Sequence, residues 1–189
     1  MKIGIILDST KVSWYLNDLV EWIKQKPSLN LEVLLIQDIK NKKKSLFNEN
    51  FSKLLDRIFF KIIGITEKKL IHKKYPQYEK HLSKYDLKKF QINEINLDFQ
   101  ISKNGKDFIY SKEDINKIKK LNLDIIIRGG SGILKGEVLN SARLGIISFH
   151  HGNNLVNRGS LPGFWEVYEK NSKTGFTIQI LNEQLDGGK

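Results

Sequence analysis

A short apolar run late in the chain carries two side chains suited to polar chemistry. The run is IISFHHGNN, residues 146–154. Successive strand residues point to opposite faces, so Ser148 and His150 share one face and Phe149 and His151 share the other. A hydroxyl and an imidazole at the end of an apolar strand are costly to desolvate and therefore need partners or a substrate. A histidine satisfied by neighbouring backbone is the alternative interpretation.

A dense polar loop follows this strand. Asn153 and Asn154 begin it, and Arg158 and Gly159 close it. Binding residues are often found on loops that a rigid scaffold positions. So many polar side chains are unusual in a simple connection, and we expect them to contact a substrate.

A glycine-rich loop follows an earlier strand, within DIIIRGGSGIL at residues 124–134. Glycines let the backbone approach a ligand closely. Their spacing is one residue longer than in a dinucleotide-binding loop, which also follows the first strand rather than a late one. A tight strand-to-helix turn is the alternative. The candidate binding residues of this loop are Arg128, Gly129, Gly130, Ser131, Gly132, Ile133 and Leu134.

A carboxylate lies near the end of the chain. Asp186 stands in LDGG, after the apolar run at 176–181. A carboxylate beside glycines at a strand exit is either an Asx-type turn or a catalytic group. The residues alone favour the turn.

The first part of the chain predicts the elements that would position these groups. Residues 3–7 and 31–36 are apolar runs typical of buried strands, and apolar residues between Leu16 and Ile23 recur with helical spacing. Residues 8–10, Asp-Ser-Thr, are expected to cap that helix. Strand, helix and strand in this order indicate parallel strands with a right-handed crossover.

The rest of the chain extends this pattern. The predicted elements are a helix around 51–62, a hairpin turning at Asn104-Gly105, a helix capped by Ser111 and Asp114, strands at 124–128, 146–150 and 176–181, and helices near 134–140 and 163–170. We therefore predict an open, mainly parallel α/β sheet. Segment 66–93, rich in lysine and tyrosine, reads as a solvated basic insertion, with single-stranded nucleic acid or an anionic ligand as a less favoured partner.

Composition limits the function classes. The 189 residues carry a net charge of +11, but only four of the 32 basic residues are arginine, the side chain preferred for base and phosphate recognition. Solvated lysine faces are the favoured interpretation, and nucleic acid is an unlikely partner. There is no cysteine and no apolar run of membrane-spanning length. We expect a soluble, cytoplasmic protein without a metal.

The C-terminal third resembles a known enzyme family. The ordered motifs RLGIISFHH, NRG, TGFTIQ and LDGG resemble the catalytic domain of the 10-formyltetrahydrofolate-dependent formyltransferases. The segment HHGNN…NRG…PGFWEVY is most similar to members that act on sugars or other small amines. The resemblance implies a Rossmann-like sheet with helices on both faces, 10-formyltetrahydrofolate as formyl donor, and an amino sugar on a nucleotide carrier as the acceptor.

The resemblance also assigns roles. It makes His150 the catalytic histidine and Asp186 the catalytic aspartate, and it places Ser148 where the family has asparagine. His150 would stabilise the oxyanion, and Asp186 would orient the His150 imidazole and help to move protons. Residues 128–134 would hold the pterin ring through main-chain groups. In the family, the side-chain amide of that asparagine contacts the oxyanion. Because serine lacks this amide, Asn153 or Asn154 is an alternative source of it.

Two other functions stay open at this stage. A methionyl-tRNA formyltransferase would use the basic surface, and a folate-binding homologue without turnover would account for Ser148. We expect residues 1–189 to form one formyltransferase-like catalytic domain. The chain ends three residues after Asp186, where the family continues, so a truncated domain is a further expectation.

Overall fold

A central sheet of six strands organises the molecule. The computed structural model describes residues 1–39, 51–150, 152 and 163–184, and for residues 51–57 it describes the backbone alone. The strands are β1 (Lys2–Leu7), β2 (Lys11–Ser13), β3 (Asn30–Ile36), β4 (Lys84–Asp86), β5 (Asn93–Asn96), β6 (Phe99–Ile101), β7 (Asp107–Tyr110), β8 (Ile125–Arg128), β9 (Ile133–Lys135), β10 (Ile146–His150) and β11 (Thr177–Ile180). The helices are α1 (Trp14–Lys24), α2 (Phe51–Lys74), α3 (Glu79–Leu82), α4 (Lys112–Lys120) and α5 (Phe164–Tyr168).

The sheet is mainly parallel, in the order β11-β10-β8-β1-β3-β5. All neighbouring strands pair in parallel except β10 and β11, which are antiparallel. β1 lies between β3 and β8, so the chain crosses from one half of the sheet to the other after β5. The predicted open, mainly parallel α/β sheet is confirmed.

Strand alternation gives each face of the sheet its own hydrophobic core. In β1, Ile5 faces a core that includes Leu16 and Val20 of α1. Ile6 faces the opposite core, which includes Ile115 and Ile118 of α4. All six side chains are 5% exposed or less, and full burial of such side chains contributes about 1.5–3 kcal/mol each. Helices therefore cover both faces, as predicted.

A second sheet of three strands, in the order β6-β7-β9, packs on the α4 side. The predicted hairpin forms its antiparallel pair, β6 and β7. The predicted helix at 134–140 is wrong. Residues Ile133–Lys135 instead pair with β7 as a parallel strand, and Gly136–Asn140 form a 3₁₀ turn. Gly136 has a φ of 79°, a left-handed conformation that interrupts an α-helix.

The start of α1 also differs from the prediction. Ser13, rather than residues 8–10, occupies the position before the helix. Residues 11–13 form β2, which pairs with β4 from the basic segment. Next to β4, Leu87 is 1% exposed, so part of segment 66–93 packs into the α1 core. The His81 ring lies edge-on to Trp14, with 4.6 Å between centroids.

No helix in the described ranges is both long enough and apolar enough to cross a membrane.

Helix α4 begins with the predicted capping arrangement. The Asp114 N–H donates to the Ser111 hydroxyl at 3.1 Å. The buried Asp114 carboxylate accepts from the Asp98 N–H at 2.6 Å and from Lys117 Nζ at 3.0 Å. Burial alone would raise the pKa of Asp114, but these hydrogen bonds hold it below its usual range.

We predict that Asp114→Ala lowers the free energy of unfolding by about 1–3 kcal/mol at pH 7, because it leaves the Asp98 N–H without its acceptor. A carboxyl with a lowered pKa stabilises the fold above its unfolded-state pKa and stops doing so as the pH falls through its folded-state pKa. Urea unfolding should therefore show a large difference between parent and variant at pH 7 and a smaller one near pH 3. Glu113→Ala, at an exposed neighbour, is the control. An equal loss at both pH values would contradict the role of the ionised carboxylate.

Candidate functional site

The carboxyl ends of four parallel strands meet at one edge of the sheet. Asp8 directly follows β1 and Gln37 directly follows β3, while Arg128 ends β8 and His150 ends β10. Open α/β sheets bind their ligands at this edge, where the strand order reverses. The polar residues of this edge are therefore the candidate site.

Gln37 connects three of the surrounding segments. Its side chain is fully buried. Nε2 donates to Asp8 Oδ1 at 2.7 Å and to the Ser131 carbonyl at 2.8 Å, and Oε1 accepts from the Tyr110 hydroxyl. Asp8 also accepts from the Ser131 N–H at 2.9 Å and from the Ser131 hydroxyl. The glycine loop is thereby attached to the ends of β1 and β3 and to β7.

Tight packing around the loop requires glycine at successive positions. The Gly129 N–H donates to the Ile6 carbonyl at 2.8 Å, and a Cβ on Gly129 would lie 2.9 Å from Leu16. A Cβ on Gly130 would lie 2.5 Å from Gln37 Nε2. Gly132 has a φ of 82°, and a Cβ there would lie 2.5 Å from the Phe108 ring. The loop therefore follows the surface of the sheet edge closely, as the sequence indicated.

Arg128 and Ser148 are partners in neighbouring strands. They face each other in the register of β8 and β10. Arg128 Nη1 donates to Ser148 Oγ at 3.3 Å, and Ser148 is only 3% exposed. The Ser148 hydroxyl also donates to the Phe149 carbonyl at a long 3.4 Å. Ser148, which takes the sequence position of the family's asparagine, thus contacts a guanidinium.

The guanidinium of Arg128 is poorly compensated. Its Nε is enclosed and has no hydrogen-bond partner within the described ranges. Burial lowers the pKa of Arg128, and the nearby ionisable groups of Tyr110, Asp8 and Tyr15 only partly oppose this effect. Burial likewise raises the pKa of the Tyr110 hydroxyl. Arginine stays charged at neutral pH, so this edge holds a partly buried positive charge.

Ser148, His150 and Arg128 line one pocket of about 110 Å³. Gly132, Ile133 and Leu134 line it as well, together with Gln179 and Leu181 from the β11 side. The predicted site residues therefore divide into two groups. The first group lines the pocket and comprises Arg128, Gly132, Ile133, Leu134, Ser148 and His150. The second group, Gly129, Gly130 and Ser131, instead lies against Leu16, Gln37 and Asp8.

Five of the predicted site residues lie outside the described ranges. They are Asp186, Asn153, Asn154, Arg158 and Gly159. Their roles stay predictions, as does the facing of His151. The carbonyl of Gly152 accepts a hydrogen bond from Thr177 Oγ1 at 3.0 Å, so Gly152 lies close to the start of β11.

Sequence reasoning missed Gln37 and Tyr110 and gave Asp8 only a capping role. Asp8 and Gln37 could have been predicted from the sequence, because each is the polar residue that directly follows an apolar strand run. The same reasoning identified the candidate residues at the ends of the later strands. Tyr110 gave no such signal, since its partner Gln37 lies 73 residues away in the chain.

A larger cleft of about 470 Å³ lies at the opposite, amino end of β8, between Asn122, Asp124 and Arg143. Asp124 and Arg143 pair there at 2.7 Å, so their charges are already satisfied. Among the described residues, no cluster of three or more histidine or carboxylate side chains with the geometry of a metal site is present.

Comparison with known proteins identifies formyltransferases as similar to part of this chain. The chain is 40% identical over 78 residues to a methionyl-tRNA formyltransferase of Clostridioides difficile, covering 41% of this chain and 25% of that protein. It is 35% identical over 77 residues to the Bacillus subtilis methionyl-tRNA formyltransferase, covering 40% and 24%. The chain is related to the formyltransferases.

Structure comparison supports the same relationship at the level of fold. A phosphoribosylglycinamide formyltransferase from Bacillus halodurans superposes with a TM-score of 0.56 and 16% identity, over 100% of this chain and 75% of that one. No protein-family model matches the chain. The matched formyltransferases of known sequence are longer, and the chain spans about a quarter of their length. The predicted resemblance and the Rossmann-like fold are confirmed.

We predict that Gly130→Ala lowers the free energy of unfolding by about 1–3 kcal/mol, because the added methyl must displace the Gln37 amide from Asp8. Gly64→Ala is the matched control. Gly64 lies in α2 with open space around its Cα, so alanine should not destabilise it. Urea unfolding of both variants checks this, and equal stabilities of parent and Gly130→Ala would contradict the tight packing of the loop.

Proposed function

We propose that this protein transfers a formyl group from 10-formyltetrahydrofolate to a primary amine. The observation that carries the proposal is the pocket at the sheet edge, where Ser148 and His150 of β10 meet residues 132–134 of the glycine loop. A hydrogen-bond donor beside a close-approaching backbone is what acyl transfer requires. The relationship to formyltransferases supports the same chemistry.

In the proposed reaction a neutral amine attacks the formyl carbon. Negative charge then develops on the formyl oxygen, and His150 lies in the pocket as a donor toward that charge. Asp186 would accept or relay the proton that passes from the amine to the leaving folate nitrogen. The loop at 128–134 would hold the pterin through main-chain groups.

The proposed acceptor is an amino sugar on a nucleotide carrier, on the similarity of HHGNN…NRG…PGFWEVY to sugar-modifying members. Methionyl-tRNA is a second candidate acceptor, because the relatives from Clostridioides difficile and Bacillus subtilis carry that name. A cytoplasmic location, consistent with the absence of cysteine, and a catalytic domain spanning residues 1–189 belong to the same proposal.

The first test is turnover by the full chain. With 10-formyltetrahydrofolate and a nucleotide-linked amino sugar, we expect tetrahydrofolate to appear together with the formylated sugar. His150→Ala and Asp186→Ala should each lower kcat by about 10²–10³-fold, the usual cost of losing an oxyanion donor or its support. His72→Ala, at an exposed helix position outside the pocket, is the control and should keep full activity. Folded His150→Ala protein with parental kcat would exclude this assignment.

The acceptor is distinguished by salt dependence. If methionyl-tRNA is the substrate, its affinity should fall steeply between about 50 and 200 mM salt, because phosphate contacts release counterions. We expect no such fall for the amino sugar and no formylation of methionyl-tRNA. Efficient, salt-sensitive formylation of the tRNA would instead select the second candidate. Tight binding of a stable folate analogue without formylation of any amine would identify a homologue without turnover.

A further inference from the structure

Arg128 carries a positive charge at the pocket but makes no direct ion pair among the described residues, which favours binding of an anion there. Its guanidinium makes one long hydrogen bond, to Ser148 Oγ at 3.3 Å, and its enclosed Nε makes none within the described ranges. Asp8 is a nearby carboxylate, but its oxygens accept hydrogen bonds from Gln37 and from Ser131. A buried charge without an ion-pair partner costs several kcal/mol, which a bound anion offsets.

We propose that Arg128 is an anion-binding catalytic residue that stabilises the oxyanion formed on the formyl oxygen. This inference rests on the proposed function and assigns to Arg128 a role that the family resemblance gives to an asparagine. Ser148 is a positioning residue in this arrangement, because its hydroxyl accepts from Nη1 and holds the guanidinium at the pocket that His150 also lines.

The size of the pocket limits the anion. A water molecule occupies about 30 Å³ in the liquid, so a pocket of about 110 Å³ holds a group of only a few heavy atoms. A formyl group fits this space. The planar guanidinium can present two N–H donors to one small oxygen-bearing group. The size and the donors of the pocket therefore match a small oxygen-bearing group such as the formyl group.

The charge that Arg128 would stabilise appears and disappears within one transfer. The amine lone pair forms the new C–N bond, and the carbonyl π pair moves to the formyl oxygen. Collapse of this intermediate restores the C=O bond and breaks the bond from the formyl carbon to N10 of the folate. The amine loses one proton and N10 gains one, so no other reactant is needed. A fixed cation beside the oxygen lowers the barrier to the charged intermediate.

The test compares Arg128→Met, Arg128→Lys and Arg143→Met. Methionine keeps much of the length of the side chain but removes the charge, and lysine keeps a charge without the planar fork. Arg143 is the matched control, because its side chain is 68% exposed and pairs with Asp124 far from the pocket. Circular dichroism and binding of a stable folate analogue show that each variant is folded.

For formyl transfer we expect kcat to fall about 10²–10³-fold in Arg128→Met, with KM for the folate changed less than about 3-fold. Arg128→Lys should lie between this variant and the parent, and Arg143→Met should equal the parent. Added guanidinium ions should restore part of the activity of Arg128→Ala, which a merely structural role would not allow. A kcat for Arg128→Met within about 3-fold of the parent would overturn the oxyanion role.

A second measurement tests the anion site without any turnover. Line broadening of ¹³C-formate should report binding to the parent and to Arg143→Met, and binding at least about 10-fold weaker to Arg128→Met. Failure of the parent to bind formate, or unchanged binding by Arg128→Met, would overturn the proposal. If the parent binds formate through Arg128 but neither binds folate nor transfers formyl, the proposed function fails and the oxyanion role with it, while the anion site stands.

Discussion

The geometry of the site depends on the hydrogen bonds of one buried amide. Gln37 has no exposed surface, and a buried amide must be bonded to offset its desolvation. It reaches Asp8 after β1, Ser131 after β8 and Tyr110 of β7. Three segments distant in the sequence therefore converge on one side chain. The position of the glycine loop follows from that convergence, and the loop forms one wall of the pocket.

The same edge combines a satisfied network with an unsatisfied charge. Among the described residues Asp8 accepts hydrogen bonds from neutral donors, so its charge acts on Arg128 from nearby without a direct ion pair. Removing the guanidinium from water without pairing it lowers stability, and nothing in the fold of the two cores requires a charge at the end of β8. Sites that bind or react with a ligand commonly carry such a local cost, which the ligand offsets. Arg128 is the residue of this edge that meets that description best.

Local patterns in the sequence were enough to predict the sheet and the strand that carries Ser148 and His150. The sequence signals for these elements depend only on neighbouring residues: apolar runs for β1, β3, β8 and β10, and helical spacing for α1. The apolar run at 146–150 predicted the strand on which Ser148 and His150 lie. Non-local pairing was not predictable in this way. Ile133–Lys135 became a strand because β7 lies beside it, and Gly136 ended any helix there. The role of Gln37 depends on a tyrosine 73 residues away, which no local pattern contains.

The net charge of +11 and the positive charge in the pocket are different physical features. Lys80 and Lys89 lie on the surface, where they pair with Asp18 and Glu21, and salt screens such charges beyond about 8 Å at physiological ionic strength. Arg128 is partly buried at the pocket, so its charge is screened less than the charges of the exposed lysines. Overall composition therefore says little about recognition here. A single arginine at the end of an apolar strand can dominate the electrostatics of the pocket, because it lines that pocket and is partly buried, whereas these lysines are exposed at the surface.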